Sequence, residues 1–189
     1  MKHHDKLSDY VFVIEKFLPQ ELCKYTIDNL KSSNLWEKHK WYNSADDESW
    51  SHQSDELDIH PSAPELDNLY YPYIQELIDC YFSKYKYENF RVSKVSQIRF
   101  NRYQSGQFMR PHCDLLRSIF DGQDKGVPVF SIILNFSNDY KGGDFKMWGE
   151  NIVPLDEGCS LIFPSTFLYP HEVTPVIRGT RYSAVAWAY

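Results

Sequence analysis

Short runs of alternating apolar and polar residues fill positions 94–189, whereas 1–93 carries two helical periods separated by a polar gap. In the second half, β-rich runs fall at 94–103, 128–137, 143–148, 151–154, 158–164, 168–177 and 180–188. Gly142-Gly143 and Glu157-Gly158 are the clearest turns between them. A short strand over 112–114 brings the set to eight, which predicts a jelly-roll barrel with helices packed outside it. Upstream, 10–18 reads as a strand ended by Pro19, which opens a helix with the stripe Leu22, Thr26, Ile27 and Leu30. Ser32-Ser33-Asn34 stop that helix. A second helix is predicted over 63–85, where Leu66, Tyr70, Tyr73, Leu77 and Tyr81 recur at threes and fours. Ser62 is its expected cap, with Pro64 and Glu65 suited to the first turn. Between the helices, 36–60 is polar and acidic without a sustained period, and reads as a solvated loop. The fold class expected is α+β, mainly β. A single domain is expected, with 1–93 as helical support and lid segment and 94–189 as the jelly-roll core.

Composition narrows the class further. The 189 residues are 42% hydrophobic and 16% aromatic, too apolar for a disordered chain and long enough for one core. A net charge of −6, with no basic run, argues against a nucleic-acid partner. No apolar stretch approaches membrane-spanning length, and the first residues lack the apolar run of a signal peptide. The four cysteines are scattered without a C-x-x-C pair, so reduced thiols and a cytoplasmic location are expected.

Candidate chemistry concentrates in two stretches. His112-Cys113-Asp114 sets an imidazole and a carboxylate two residues apart, so on an extended segment both project to one face and Cys113 to the other. His171 lies far along the chain and must be brought in by the fold, as a closed sheet would do. Two imidazoles and one carboxylate can occupy one face of an octahedral iron, leaving the other open for a cosubstrate and dioxygen. Arg181, ten positions after His171, supplies a guanidinium able to grip a carboxylate with two parallel hydrogen bonds. H-x-D alone occurs by chance in many chains; its completion by His171 and Arg181 gives it weight. His3, His4, His39, His52 and His60 lack ligand spacing to the triad and read as solvated.

The stretch NRYQSGQFMRPHCD at 101–114 resembles the prolyl 4-hydroxylase-like iron(II)/2-oxoglutarate oxygenases, where a tyrosine, a glycine turn and an aromatic residue precede the H-x-D. PHEVTPVIRGTRYS at 170–183 resembles the distal half of the same site. The resemblance covers about 95–188 and implies a double-stranded β-helix. It also implies Fe(II) on His112, Asp114 and His171, with 2-oxoglutarate and O2 as cosubstrates and ascorbate as a candidate addition. The reaction implied is hydroxylation of an unactivated C–H bond, with 2-oxoglutarate leaving as succinate and carbon dioxide. Asp114 points to hydroxylation rather than halogenation, since related halogenases carry a small residue there.

By the same resemblance, Arg181 takes the C5 carboxylate of 2-oxoglutarate, its spacing from His171 selecting it over Arg178. Tyr103 resembles the family's strand tyrosine whose hydroxyl reaches 2-oxoglutarate; the alternative is a core aromatic. Ser183 shares a strand face with Arg181 and is placed to donate to the same carboxylate, unless it is an ordinary small strand residue. Trp187 either walls the pocket or packs in the core. The strand 129–136 departs from the pattern, offering isoleucine where some members place another cosubstrate-binding tyrosine.

A peptidyl proline is the first substrate expectation; another protein side chain or a free small molecule is the alternative. A non-enzymatic cupin-like binding module would have no use for the triad and Arg181 together, and a cupin-type oxygenase without 2-oxoglutarate would not need Arg181. The segments 43–60 and 115–126 are expected lids, with Trp41, Tyr42 and Trp50 as flat apolar surfaces and the acidic residues favouring a basic substrate. The sequence carries no sign of oligomeric state.

Overall fold

The computed structural model describes residues 6–42, 50–52, 56–62, 64–87, 89–114 and 127–189, with the backbone alone at 42 and 50–52. The expected lid at 115–126, most of 43–55, Ala63, His3, His4 and the side chains of Tyr42, Trp50 and His52 therefore lie outside the described residues. In chain order, a 3-10 turn at Leu7–Tyr10 leads to β1 (Phe12–Ile14), α1 (Gln20–Ser32), β2 (Glu37–Lys38) and β3 (Lys40–Tyr42). Then come β4 (Trp50–His52), β5 (Asp58–His60), α2 (Pro64–Tyr85), β6 (Arg99–Tyr103), β7 (Met109–His112) and β8 (Phe130–Asn135). The rest are β9 (Lys141–Gly142), β10 (Phe145–Met147), β11 (Asn151–Val153), β12 (Ser160–Pro164), β13 (His171–Val173), β14 (Val176–Arg178) and β15 (Arg181–Ala188).

Seven strands make the larger sheet in the order β1-β12-β8-β15-β6-β5-β2, and four make a second sheet in the order β11-β10-β13-β7. Every pairing is antiparallel, the arrangement of a double-stranded β-helix. The alternation of β15 divides two cores. Tyr182, Ala184, Ala186 and Ala188 pack with Phe100, Ile132, Leu134 and Ile162 against the helices. Val185 and Trp187 turn the other way, toward Tyr103, Met109, Phe145, Leu161 and Phe163 between the two sheets. Period two, running through a strand buried on both faces, produces both layers.

The helices form because each presents one apolar stripe to the first of these cores. On α1 the buried residues are Cys23, Thr26 and Leu30, at helical spacing, with Leu22 and Ile27 half-buried beside them. On α2, Leu66, Tyr70, Ile74, Leu77, Ile78, Tyr81 and Tyr85 are buried, whereas Tyr73 is only half-buried. The Tyr70 hydroxyl and Thr26 Oγ1 lie 2.6 Å apart, a hydrogen bond that ties the helices together inside the apolar layer. The Tyr81 ring packs at a tilt 4.5 Å from Tyr85 and 4.7 Å from Phe130, and such pairs add about 0.5–1.5 kcal/mol beyond area burial. No described helix is long and apolar enough to cross a membrane.

The polar gap at 36–60 differs from its expectation as a solvated loop. It contains β2, β3, β4 and β5, and β5 extends the main sheet beside β6. Asp58 is buried there, receiving Lys38 Nζ at 2.6 Å, Arg102 Nη2 at 2.9 Å and Gln104 Nε2 at 3.0 Å. Burial opposes its charge, but these hydrogen bonds outweigh burial and hold its pKa below the usual carboxylate range. His39 and His60, expected to be solvated, are buried too; His60 Nε2 lies 2.6 Å from Ser33 Oγ. Upstream, the expected strand over 10–18 shortens to Phe12–Ile14, with Lys16 in a left-handed turn at φ 51°. Downstream, the run 168–177 is two strands, β13 and β14, belonging to different sheets.

Candidate active site

Strand β7 lies antiparallel to β13 with His112 directly opposite His171, so the sheet itself brings the two distant imidazoles together. Their ring centroids are 4.3 Å apart. The expected strand over 112–114 is corrected here: β7 ends at His112, and Asp114 comes from the segment just beyond it. Asp114 Oδ1 nevertheless lies 3.4 Å from His112 Nε2 and 3.7 Å from His171 Nε2. One ligand atom from each of the three residues falls within 4.8 Å of the others. Cys113 takes no part; its Sγ faces the Phe167 carbonyl at 3.5 Å.

Hydrogen bonds on the far side of each ring fix which nitrogen is available. His112 Nδ1 donates to the Arg110 carbonyl at 2.8 Å, and His171 Nδ1 donates to the Tyr169 carbonyl at 3.1 Å. A carbonyl only accepts, so each Nδ1 carries a proton and Nε2 is the nitrogen turned toward Asp114. Burial lowers the pKa of His171 and favours its neutral, ligating form. Burial alone would raise that of Asp114, but His112 and His171 overcome it and hold the carboxyl well below its ordinary range. Asp114 Oδ2 is buried without a hydrogen-bond partner among the described residues. Two imidazole nitrogens and a carboxylate with one orphaned oxygen form a donor set that fits iron(II).

Arg181 opens β15 and is the largest fully buried side chain among the described residues, at 1% exposure. Its Nη1 donates to Ser183 Oγ at 3.0 Å, and its guanidinium carbon stands 5.2 Å from the Tyr103 ring centre. Nε and Nη2 have no partner among the described residues. A buried guanidinium with two idle donors is costly unless an anion arrives to take them. Gly143 makes room for it, since a Cβ there would meet Arg181 Cδ at 3.3 Å and Val176 Cγ2 at 3.0 Å. Arg178, the rival, is exposed on β14. Tyr103 sits opposite Arg181 on β6; burial raises its pKa despite the nearby Arg181 and Arg99 charges, so its hydroxyl stays a donor. Ser183 and Val185 follow Arg181 on the same face, with the Trp187 ring beyond them.

Three residues of this region carry no signal in the H-x-D pattern. Glu56 is fully buried and accepts from Trp41 Nε1 and Arg110 Nε, both at 2.5 Å, while His39 Nδ1 lies 3.3 Å away. The Trp41 ring then meets His112 edge-on at 5.5 Å, so this carboxylate braces the first imidazole from behind. Arg99 and Asn101 share the inner face of β6 with Tyr103. A signal for them existed: Arg99, Asn101 and Tyr103 are spaced by two on a predicted strand, where three polar side chains facing one way need a polar site.

Comparison with known proteins agrees with this geometry. Residues 98–189 match the family model of the 2OG-Fe(II) oxygenase superfamily. A PKHD-type hydroxylase of Shewanella oneidensis is 37% identical over 92 residues, covering 47% of this chain and 40% of that protein. One from Paracoccus denitrificans is 33% identical over 95 residues, covering 47% and 41%. The match thus spans about two fifths of the length of these curated relatives. Among solved structures, the viral collagen prolyl hydroxylase of Paramecium Bursaria Chlorella virus-1 superposes with a TM-score of 0.69 at 17% identity, covering 95% of both chains. A Trichoplax adhaerens prolyl hydroxylase, solved with a hypoxia inducible factor peptide fragment, gives 0.69 at 16% identity, covering 96% of this chain and 84% of that one. These structural likenesses establish the double-stranded β-helix. The likeness to the 2OG-Fe(II) oxygenase superfamily, whose members work with iron(II), 2-oxoglutarate and dioxygen, thus runs through residues 98–189.

Proposed function

We propose that this protein is an Fe(II)- and 2-oxoglutarate-dependent hydroxylase acting on an unactivated C–H bond, with a prolyl residue of a peptide as its substrate. The observation that carries the reading is Arg181, a buried cation with two unpartnered N–H groups, on the sheet facing His112, Asp114 and His171. A dicarboxylate bound at both ends answers both halves of that arrangement. His112 Nε2, Asp114 and His171 Nε2 would hold the metal. Arg181, steadied by Ser183 Oγ, would take the C5 carboxylate with its free Nε and Nη2, and the Tyr103 hydroxyl would add a donor. The chemistry iron(II) supplies in such a site is oxidative decarboxylation of 2-oxoglutarate to succinate and carbon dioxide, coupled to hydroxylation of the substrate. The apolar residues around these groups, Ile133, Phe145, Phe163 and Val185, keep water from the reacting centre.

The peptide substrate is supported by the structural relatives, a viral collagen prolyl hydroxylase and a prolyl hydroxylase in complex with a peptide fragment. All four cysteines are unbridged, which supports a reducing compartment such as the cytoplasm. The test is succinate formation from 2-oxoglutarate with Fe(II) and proline-containing peptides, with mass spectrometry of each peptide. A gain of one oxygen that requires 2-oxoglutarate supports the reading; no succinate under any of these conditions rejects it.

A further inference from the structure

The inner face of β6 carries a row of polar side chains, Tyr103, Asn101 and Arg99, set opposite Arg181, Ser183 and Val185 of β15. One end of the row is the Arg181 carboxylate seat. Arg99 stands at the other end, two steps of the ladder away, with its guanidinium carbon 5.2 Å from the centre of the Trp187 ring. Its charge reaches Asp114 and Tyr103, and also His39 on the strap that carries Trp41. The head group therefore lies within electrostatic reach of Asp114, at the Trp187 end of the row. Among the described residues no carboxylate pairs with it, and its buried Nε has no hydrogen-bond partner. Two cations thus face one interior, and the C5 carboxylate of 2-oxoglutarate answers only one of them.

We propose that Arg99 is a specificity-determining residue that receives a carboxylate carried by the substrate close to the bond being hydroxylated. The inference rests on the function proposed above and adds the substrate's chemical class: an anionic one. A guanidinium on the face of Trp187 is held in plane by the ring, so its fork is preset for a carboxylate and little ordering remains on binding. Within electrostatic reach of Asp114, it selects substrates whose acidic group lies next to the reacting residue. The sign is opposite to that expected from the acidic segment at 43–60, which favours a basic partner. Two sources offer the same group, an acidic side chain beside a peptidyl proline or the free carboxylate of an amino acid.

The experiment uses the full chain loaded anaerobically with Mn(II) and 2-oxoglutarate, so that binding is read without turnover. Calorimetry compares capped peptides containing Pro-Asp, Pro-Asn and Pro-Lys with free L-proline, on the wild type and on Arg99→Gln and Arg99→Lys. In the wild type, a carboxylate ligand is expected to bind about tenfold to hundredfold tighter than the Pro-Asn peptide, the range of one charge-assisted hydrogen bond. The ratio should fall to about one in Arg99→Gln and recover in part in Arg99→Lys, whose ammonium keeps the charge without the fork. Tight Pro-Asp binding identifies a peptide source; tight binding of L-proline alone identifies a free amino acid. Equal binding of Pro-Asp and Pro-Asn to the wild type, a preference that survives Arg99→Gln, or no measurable binding of any carboxylate ligand overturns the proposal. So does an Arg99→Gln variant that loses 2-oxoglutarate affinity instead, since Arg99 then serves the cosubstrate. Failure of the wild type to bind 2-oxoglutarate at all counts against the function proposed above, and is read in a separate titration.

Discussion

The two faces of the seven-stranded sheet are built from the same strands and do opposite things. On the helix side, Phe100, Ile132, Leu134, Ile162, Tyr182 and Ala184 meet α1 and α2 in an apolar layer, where the Tyr70 hydroxyl is paired with Thr26. On the barrel side, Arg99, Asn101, Asn135, Arg181 and Trp187 each leave a buried polar atom without a partner. Ser160 is the one residue of the sheet's helix side to do so among the described residues. Orphaned buried polar atoms cost stability, so an interior that collects them is poised for a ligand rather than for packing. The alternation of a strand lets one sequence carry both tasks, one residue apart. Stability resides mainly on one side and chemistry on the other.

The strongest way to break that contrast is Asp114→Ala. Loss of one of three proposed metal ligands should abolish succinate formation and 2-oxoglutarate-dependent hydroxylation, while cooperative thermal unfolding persists. Undiminished turnover would remove Asp114 from the site. On the other face, Phe100→Ala empties a fully buried position ringed by His60, Tyr70 and Phe136. It should cost about 3–5 kcal/mol of unfolding free energy while leaving the activity per folded molecule near that of the wild type. Chemical denaturation and active-site titration together check it; a loss of activity without a loss of stability would dissolve the division of labour. Arg181→Met should act in the reverse sense. It should weaken 2-oxoglutarate binding by about tenfold to hundredfold and yet leave the empty protein equally stable or more so, because an uncompensated buried charge has gone. A lower melting temperature without 2-oxoglutarate would show that Arg181 is structural.

The sequence was most legible where period and turn signals agreed. Strands β6, β8, β12 and β15 carry apolar residues on both faces, and Gly142-Gly143 and Glu157-Gly158 punctuate them, so their runs stand out. His112, Asp114, His171 and Arg181 were readable because their residue types are rare in that spacing, and the fold brings the first three together. The segment 36–60 was not readable. Glu37–Lys38 and Asp58–His60 are two and three residues long, and their burial is secured by charge pairing, Asp58 with Lys38 and Arg102, rather than by an apolar period. Composition counts such residues as solvated. Only the partners reveal them as buried, and the partners lie more than forty positions away along the chain in the case of Arg102 and Asp58. Glu56 escaped for the same reason, since Arg110 reaches it from the far side of α2 and β6.

The smallest expected effect tests whether that N-terminal strap belongs to the site side of the comparison. His39 is buried against Glu56 and Trp41. Burial, with the Arg99 charge, lowers its pKa to about 4, although Glu56 pulls the other way. In the unfolded chain a histidine titrates near 6.5, roughly its reference value. Between those two values the unfolded state binds more protons than the folded one, so stability must fall as pH falls. The contribution is fully present above about pH 6.5, declines toward pH 4, and changes no further below it. His39→Gln keeps a polar side chain at the position but removes this titration. Urea midpoints taken at intervals from neutral pH down to the foot of that window should fall more steeply for the wild type than for the variant. Asp58 adds an acid loss of its own, but at lower pH, where its depressed carboxyl finally protonates, and it is common to both proteins. Parallel curves for wild type and variant would mean that His39 titrates alike in the folded and unfolded chain, and a wild type that falls less steeply than the variant would mean that the ring is charged when folded and the Glu56 strap is held by an ion pair.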